Sequence, residues 1–286
     1  MTKNNLIVFI LTIGVFSILN TEMGVIGILP IVASTYNIEI SLAGLLVSLF
    51  ALAVAVSGPI LPLLLSKYNR KTIMIISLGT FFVCNVISAF AGSFWLVLVA
   101  RVVPAFLHPV YVSLSFAIAS SSVSEKEAPK AVAKVMVGVS AGMVLGVPVM
   151  SYIANLFSLE IAMLAFALVN LIALALTIIY VPSMPVKEKM SYGSQLKILK
   201  DINLWWALIA VILLNGANFG VYSYLADYLE RVSLLSTEFV SITLLIFGLA
   251  NILGNVIAGR LLSQRPLSFV GIYPFFFFFL LLKRLF

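Results

Sequence analysis

Nine apolar runs, most of them long enough to cross a bilayer, follow one another along this chain. A transmembrane α-helix needs about 20 predominantly apolar residues. The sequence is 63% hydrophobic and 9% charged, and its mean hydropathy is +1.20. Such a composition leaves too little polar surface for a water-soluble domain. The runs cover residues 6–33, 42–65, 72–91, 94–119, 131–157, 159–181, 204–226, 239–259 and 267–282.

These runs predict α-helices, because lipid offers no partner to unpaired main-chain groups and the runs lack the alternation of barrel strands. The predicted fold class is all-α, a polytopic helical bundle in a membrane. The longest polar connection contains Pro182, Pro185 and four lysines. We therefore expect a six-helix bundle over residues 1–181, a linker over 182–203, and a partial second bundle of about three helices over 204–286.

The net charge of +7 is explained by topology and does not indicate nucleic-acid binding. Lysines and arginines gather in the connections after the second, fourth, sixth and eighth runs, whereas the connections on the opposite side contain acids such as Glu39 and Glu238. The positive-inside rule then predicts a cytoplasmic N-terminus and a cytoplasmic linker. Lys283 and Arg284 violate this pattern at the end of the chain.

Three ionisable side chains lie deep inside the apolar runs, away from their ends, where a charge costs about 3 kcal/mol or more unless it is paired or faces water. Glu22 follows Asn20 and Thr21 in the first run, and Arg101 lies in the fourth, with His108 seven residues later. We predict that Glu22 exchanges a proton, with Arg101 as a fixed counter-charge and His108 in the same proton-coupling group. The alternatives are a structural carboxylate, a snorkelling arginine and a packed neutral histidine.

Other polar and small residues suggest packing and binding roles. Gly138, Gly142 and Gly146 recur at every fourth position, which allows another helix to approach closely, and Pro148 follows them. We predict a close-packed hinge there. A substrate site is predicted at four polar residues, although hydrogen bonds between helices would explain three of them equally well. The four are Asn20, Asn215, Asn218 and Tyr222.

Four segments carry a resemblance to a known family. NTEMGVIGILP covers residues 20–30, GPILPLLLSKYNRK covers 58–71, RVVPAFLHP covers 101–109, and GVSAGMVLGVP covers 138–148. In order and spacing they resemble motifs of the major facilitator superfamily, in particular its drug:proton antiporter group, which includes bacterial purine, sugar and drug efflux pumps. The resemblance implies about nine of the family's twelve helices, with the C-terminal ones truncated.

The segment at residues 58–71 departs from the family's loop motif. Pro62, Ser66 and Asn69 stand where the motif has glycine, aspartate and glycine. The missing aspartate weakens the expectation of a charge–dipole lock between helices. The motif's basic pattern is kept by Lys67, Arg70 and Lys71.

The resemblance implies proton-coupled efflux of a small organic molecule by alternating access, in a bacterial inner membrane. The expected partners are the substrate, protons and the bilayer, and the expected state is a monomer. A non-transporting truncated remnant, or a uniporter or importer of the same fold, remains the alternative. One cysteine, one histidine and scattered acids supply no catalytic pair and no metal-ligand spacing, so we predict no enzyme, no metal and no cofactor.

Overall fold

Every regular element in the described residues, which are 3–186, 200–235 and 237–264 of a computed structural model, is helical. This confirms the predicted all-α class. Two 3₁₀ turns cover Val25–Ile28 and Glu125–Glu127. The α-helices are α1 (Lys3–Gly24), α2 (Leu29–Thr35), α3 (Ile40–Ala43), α4 (Leu45–Ser57), α5 (Leu61–Leu65), α6 (Arg70–Ala89), α7 (Phe94–Ala105), α8 (His108–Ser121), α9 (Ala128–Leu156), α10 (Leu159–Tyr180), α11 (Ile202–Arg231) and α12 (Thr237–Gln264).

Seven stretches of the described chain are helical, long and apolar enough to cross a membrane. The first six match the first six predicted runs, and the seventh, Ile246–Gln264, overlaps the predicted run at 239–259. The run predicted at 204–226 lies in α11, and the stretch Ile202–Leu214 of this helix, which belongs to the described part, is apolar. The run predicted at 267–282 lies outside the described residues. The chain is therefore a multi-pass membrane protein.

Two of the spans are interrupted beside prolines, which account for these two breaks. The first span changes from α1 to the 3₁₀ turn Val25–Ile28 and then to α2, which has Pro30 in its first turn. The fourth span breaks between α7, which contains Pro104, and α8, which begins with His108 and Pro109. Since proline has no N–H, it removes a bond from the helical ladder. Each break leaves main-chain carbonyls inside the span that need other donors.

The glycines of α9 pack directly against α1. A Cβ atom on Gly142 would lie 2.9 Å from the nitrogen of Asn20, and one on Gly146 would lie 3.2 Å from the oxygen of Asn20. A Cβ on Gly138 would collide with the carbonyl oxygen of Thr12. Only glycine allows the two main chains to come this close. The spacing that the sequence shows thus corresponds to the tightest contact between these two spans.

A polar connection joins the start of α6 to the end of α10. Asn69 caps α6 by accepting a hydrogen bond from the nitrogen of Lys71 (3.0 Å), and its Nδ2 donates to the Ser183 hydroxyl (2.7 Å). The ammonium of Lys71 donates to the carbonyl of Ile178 (2.7 Å) near the end of α10. The turn that carries the basic residues of the loop motif is therefore fixed to the segment that follows the sixth span.

Contacts divide the chain into two compact units, one comprising Met1–Pro185 with Asn251–Phe286 and the other Val186–Ala250. In the first unit the Ser140 hydroxyl of α9 donates to Asn251 Oδ1 (3.2 Å) and accepts from Asn255 Nδ2 (2.7 Å) of α12. The end of α12 therefore packs against α9. The predicted division at residues 182–203 stays a prediction, and residues 187–199 of that linker lie outside the described part.

We expect Gly142→Ala to lower the free energy of unfolding by about 1–3 kcal/mol, because the added methyl group has no room between α9 and α1. A lower midpoint of thermal unfolding in detergent, followed by tryptophan fluorescence, would report this loss. Gly79→Ala in α6 is the matched control, since a Cβ atom there meets nothing within 4 Å. Equal midpoints for the two variants would contradict the packing argument.

Candidate functional site

Arg101 binds the end of α1, where the interrupted helix leaves its last four carbonyls without intrahelical partners. Its Nη1 donates to the oxygen of Thr21 and its Nη2 to the main-chain oxygen of Glu22, both at 2.7 Å. Its Nε donates to the oxygen of Leu46 in α4 at 3.3 Å. One guanidinium thus satisfies carbonyls from two different helices. The planar arginine fork, with its five N–H donors, suits this task.

The position of Arg101 excludes the snorkelling alternative. The residue is only 7% exposed, and its three hydrogen bonds point into the bundle. A positive charge beside the last carbonyls of α1 is also favourable for the helix dipole. Its donors go to main-chain oxygens and not to the carboxylate of Glu22, so the arginine charge lies beside the acid without being bonded to it.

Phe50 of α4 contacts both basic residues of α7 and α8. The guanidinium carbon of Arg101 lies 4.6 Å from the centre of the Phe50 ring, a cation–π distance. The ring of His108 lies 6.0 Å from the same ring, at an interplanar angle of 77°. Phe50 is 2% exposed. The aromatic ring therefore forms a common wall for the arginine and the histidine.

Glu22 and His108 meet beside the two interruptions. His108 Nε2 lies 3.0 Å from Glu22 Oε2, and the side chains are 12% and 20% exposed, respectively. The contact has the distance of an ion pair but not the alignment of a hydrogen bond, so neither imidazole nitrogen has a hydrogen-bond partner among the described residues. The two groups can share one proton, as a neutral pair or as carboxylate and imidazolium.

Asn20 and Thr21 surround the site with further polar groups. The Thr21 hydroxyl donates to the oxygen of Ser17 (2.9 Å) and accepts from Asn170 Nδ2 of α10 (2.8 Å). The Nδ2 of Asn20 and the Oδ1 of Asn170 are buried and have no hydrogen-bond partner among the described residues. Buried polar groups of this kind commonly bind an internal water. Asn20 is buried against α9 and does not line an open cavity in this structure.

The residues predicted as conformational motifs are spread over α5, α6 and α9. Pro62 lies in the short helix α5, and the Ser66 hydroxyl donates to the oxygen of Leu63 at its end (2.6 Å). The ammonium of Lys67 lies 5.5 Å from the Tyr68 ring centre. Pro148 is inside α9, which continues on both sides of it, and Arg70 and Lys71 begin α6. The conformational roles of these residues stay predictions.

Three of the four residues predicted to bind substrate have side chains that lie outside the described part of the structure. Asn215, Asn218 and Tyr222 fall in α11, but their side chains are not among the described ones. The predicted substrate role of these three residues is therefore untested. Within the described residues no group of three His, Cys, Asp or Glu side chains is placed to hold a metal ion.

The comparison with known families decides the identity of this bundle. Residues 11–283 match the Major Facilitator Superfamily. The chain belongs to this superfamily. It is therefore a membrane transporter by family and not an enzyme, as the sequence predicts.

Several curated relatives of this major facilitator protein are bacterial. It is 33% identical over 259 residues to the uncharacterized MFS-type transporter YtbD of Bacillus subtilis, covering 90% of this chain and 65% of the relative. It is 27% identical to the inner membrane transport protein YdhP of Escherichia coli (92% and 67% covered) and 28% identical to a probable sugar efflux transporter of Helicobacter acinonychis (92% and 68%). The chain thus spans about two thirds of the length of these relatives.

A solved structure shows the same fold at low sequence identity. The crystal structure of the human organic anion transporter MFSD10 superposes with a TM-score of 0.71 at 16% identity, covering 92% of this chain and 73% of that one. At this identity the similarity concerns the fold alone. It agrees with the helical bundle built from the apolar runs.

Sequence reasoning missed Phe50, Leu46 and Asn170. Phe50 and Leu46 lie in an apolar run and contribute a ring and a main-chain oxygen, for which no sequence pattern exists. Asn170 carried a usable signal, because an amide inside an apolar span needs a partner. Its partner Thr21 lies 149 residues away in the sequence.

We expect Arg101→Lys to lower the free energy of unfolding by about 3 kcal/mol, because an ammonium lacks the planar fork that bonds the oxygens of Thr21 and Glu22 together and leaves a carbonyl at the end of α1 buried and unpaired. Thermal unfolding in detergent measures the loss. Arg260→Lys, the same change at an exposed position of α12, is the control. If both variants have the same midpoint of thermal unfolding as the parent protein, the capping role of Arg101 is wrong.

Proposed function

We propose that this chain carries out proton-coupled efflux, an antiport of a small organic molecule by alternating access. The observation that supports it most is the Glu22–His108 pair, 3.0 Å apart beside two interrupted helices. Discontinuous helices form the substrate and ion sites of many transporters. An ionisable pair inside a membrane span is a functional site by default.

The charges of the site favour proton exchange over permanent pairing. With one proton the Glu22–His108 pair is neutral overall, and with a second proton it carries a positive charge beside the fixed charge of Arg101. The fixed charge of Arg101 therefore lies beside a pair whose own charge changes with each proton. A substrate that binds next to the pair, or a change in its exposure to water, would then shift the proton count.

The remaining finer features of the proposal come from the family. The name of the Helicobacter relative, a probable sugar efflux transporter, supports export as the direction of transport. Together with the four motifs it favours the drug:proton antiporter group. The distribution of lysine and arginine supports an inner-membrane orientation with a cytoplasmic N-terminus.

The substrate is proposed to lie beside Glu22, with Asn20, Asn215, Asn218 and Tyr222 as candidate contacts. The tight α1–α9 contact through Gly138, Gly142 and Gly146 would keep these two spans together while the bundles rock. Pro148 would supply a flexible point in α9. Lys67, Arg70 and Lys71 would act at the inner end of the bundle.

We expect Glu22→Gln to abolish transport driven by a pH gradient while substrate exchange without net proton movement continues, because glutamine is a neutral isostere of the protonated acid. Proteoliposomes of the full chain, tested with purine nucleosides, arabinose and ethidium, provide the assay. Gradient-driven accumulation should fall at least tenfold. Glu39→Gln, at an exposed residue between the first two spans, should behave like the parent.

The same assay separates the alternatives. Exchange that is independent of pH in the parent protein would indicate a uniporter or importer. No flux of any of the probes would favour a non-transporting protein. Gradient-driven accumulation that survives in Glu22→Gln would remove Glu22 from the mechanism.

A further inference from the structure

Phe50 lies where it controls which groups Arg101 can reach. The guanidinium stands on the face of the Phe50 ring at 4.6 Å and donates to the carbonyl of Leu46, one turn earlier on the same helix. Two features of α4 therefore hold the arginine from one side. Carbonyls of α1 hold it from the other side, at Thr21 and Glu22.

The main-chain contact at Glu22 brings the arginine close to an acid that it does not bind. Nη2 of Arg101 is 2.7 Å from the main-chain oxygen of Glu22, so the carboxylate of the same residue is within a short side-chain movement. A guanidinium and a carboxylate form strong bidentate pairs when nothing prevents it. In such a pair the carboxylate of Glu22 would stay charged, and it would no longer be the partner of His108.

From this geometry we propose that Phe50 is a positioning residue that keeps Arg101 on the main chain and away from the Glu22 carboxylate, so that Glu22 remains paired with His108. The inference rests on the proposed function and adds a residue to its proton site. The cation–π contact, in a place where Phe50 is fully desolvated, stabilises the arginine in its observed position. The ring also packs against the imidazole at 6.0 Å, which orients His108 toward Glu22.

The composition of the chain makes this inference directly measurable. His108 is the only histidine, so protein labelled with [¹⁵N]histidine gives the imidazole signals of this one residue. Those signals depend on whether Nε2 faces a carboxylate. Glu22→Gln provides the reference for a histidine that has lost its acid partner.

We expect Phe50→Leu to move the His108 imidazole signals, at a fixed pH in detergent, to the positions seen in Glu22→Gln. Phe50→Met, which also removes the aromatic ring, should have the same effect on the imidazole signals. It replaces the leucine variant in the experiment if that variant folds poorly. Phe81→Leu is the matched control, since Phe81 in α6 is equally buried. It should lower the unfolding temperature but leave the imidazole signals at their parental positions.

A second measurement addresses the acid itself. Acidification of the parent protein should produce a protonated-carboxyl infrared band that is absent in Glu22→Gln. In Phe50→Leu this band should be lost, because the released arginine holds the carboxylate charged. A merely structural role of Phe50 would not remove it.

The outcomes distinguish this inference from the function on which it rests. If Glu22→Gln moves the imidazole signals and both Phe50 variants leave them and the infrared band unchanged, the role of Phe50 is wrong while the proton site stands. If Glu22→Gln itself leaves the imidazole signals unchanged, the Glu22–His108 pair fails and the inference fails with it.

Discussion

The hydrogen bonds of Arg101 to main-chain oxygens of α1 and α4 are the interaction on which the centre of this bundle depends. A membrane contains no water to satisfy carbonyls that an interrupted helix exposes, so a break within a span requires a protein donor. The arginine supplies three N–H groups to Thr21, Glu22 and Leu46. Because the oxygens of Thr21 and Glu22 are satisfied, α1 can end at Gly24 and the chain can continue through a 3₁₀ turn inside the span.

The interruptions in turn position the acid and the histidine. Glu22 lies in the last turn of α1, and His108 begins α8 directly after the break in the fourth span. An arginine bound to main-chain oxygens and a phenylalanine leaves the carboxylate facing the imidazole. The site therefore contains two separate arrangements: an arginine charge that is bonded to the main chain, and an acid–histidine pair that this charge does not occupy.

Much of the architecture was predictable from local properties of the chain. Six of the spans follow from runs whose length and apolarity suit a bilayer, and the glycines of α9 follow the four-residue spacing that close helix contacts require. Glu22, Arg101 and His108 stood out because a charge in a membrane is costly. Their arrangement was less predictable. Arg101 and His108 are seven residues apart, a spacing that would place them on one face of a continuous helix, but the helix breaks between them at Phe106 and Leu107.

The sequence by itself determined that this is an all-helical, multi-pass membrane protein with a small set of ionisable residues inside its spans, because hydropathy, proline and charge act through neighbouring positions. Only the tertiary structure decided the partners within that set. It directed Arg101 to main-chain oxygens instead of the carboxylate, placed Phe50 between the two basic side chains, and joined Thr21 to Asn170. The physical reason is that main-chain carbonyls and aromatic rings are common along the spans, and only the packing of the helices decides which of them contact a charged side chain.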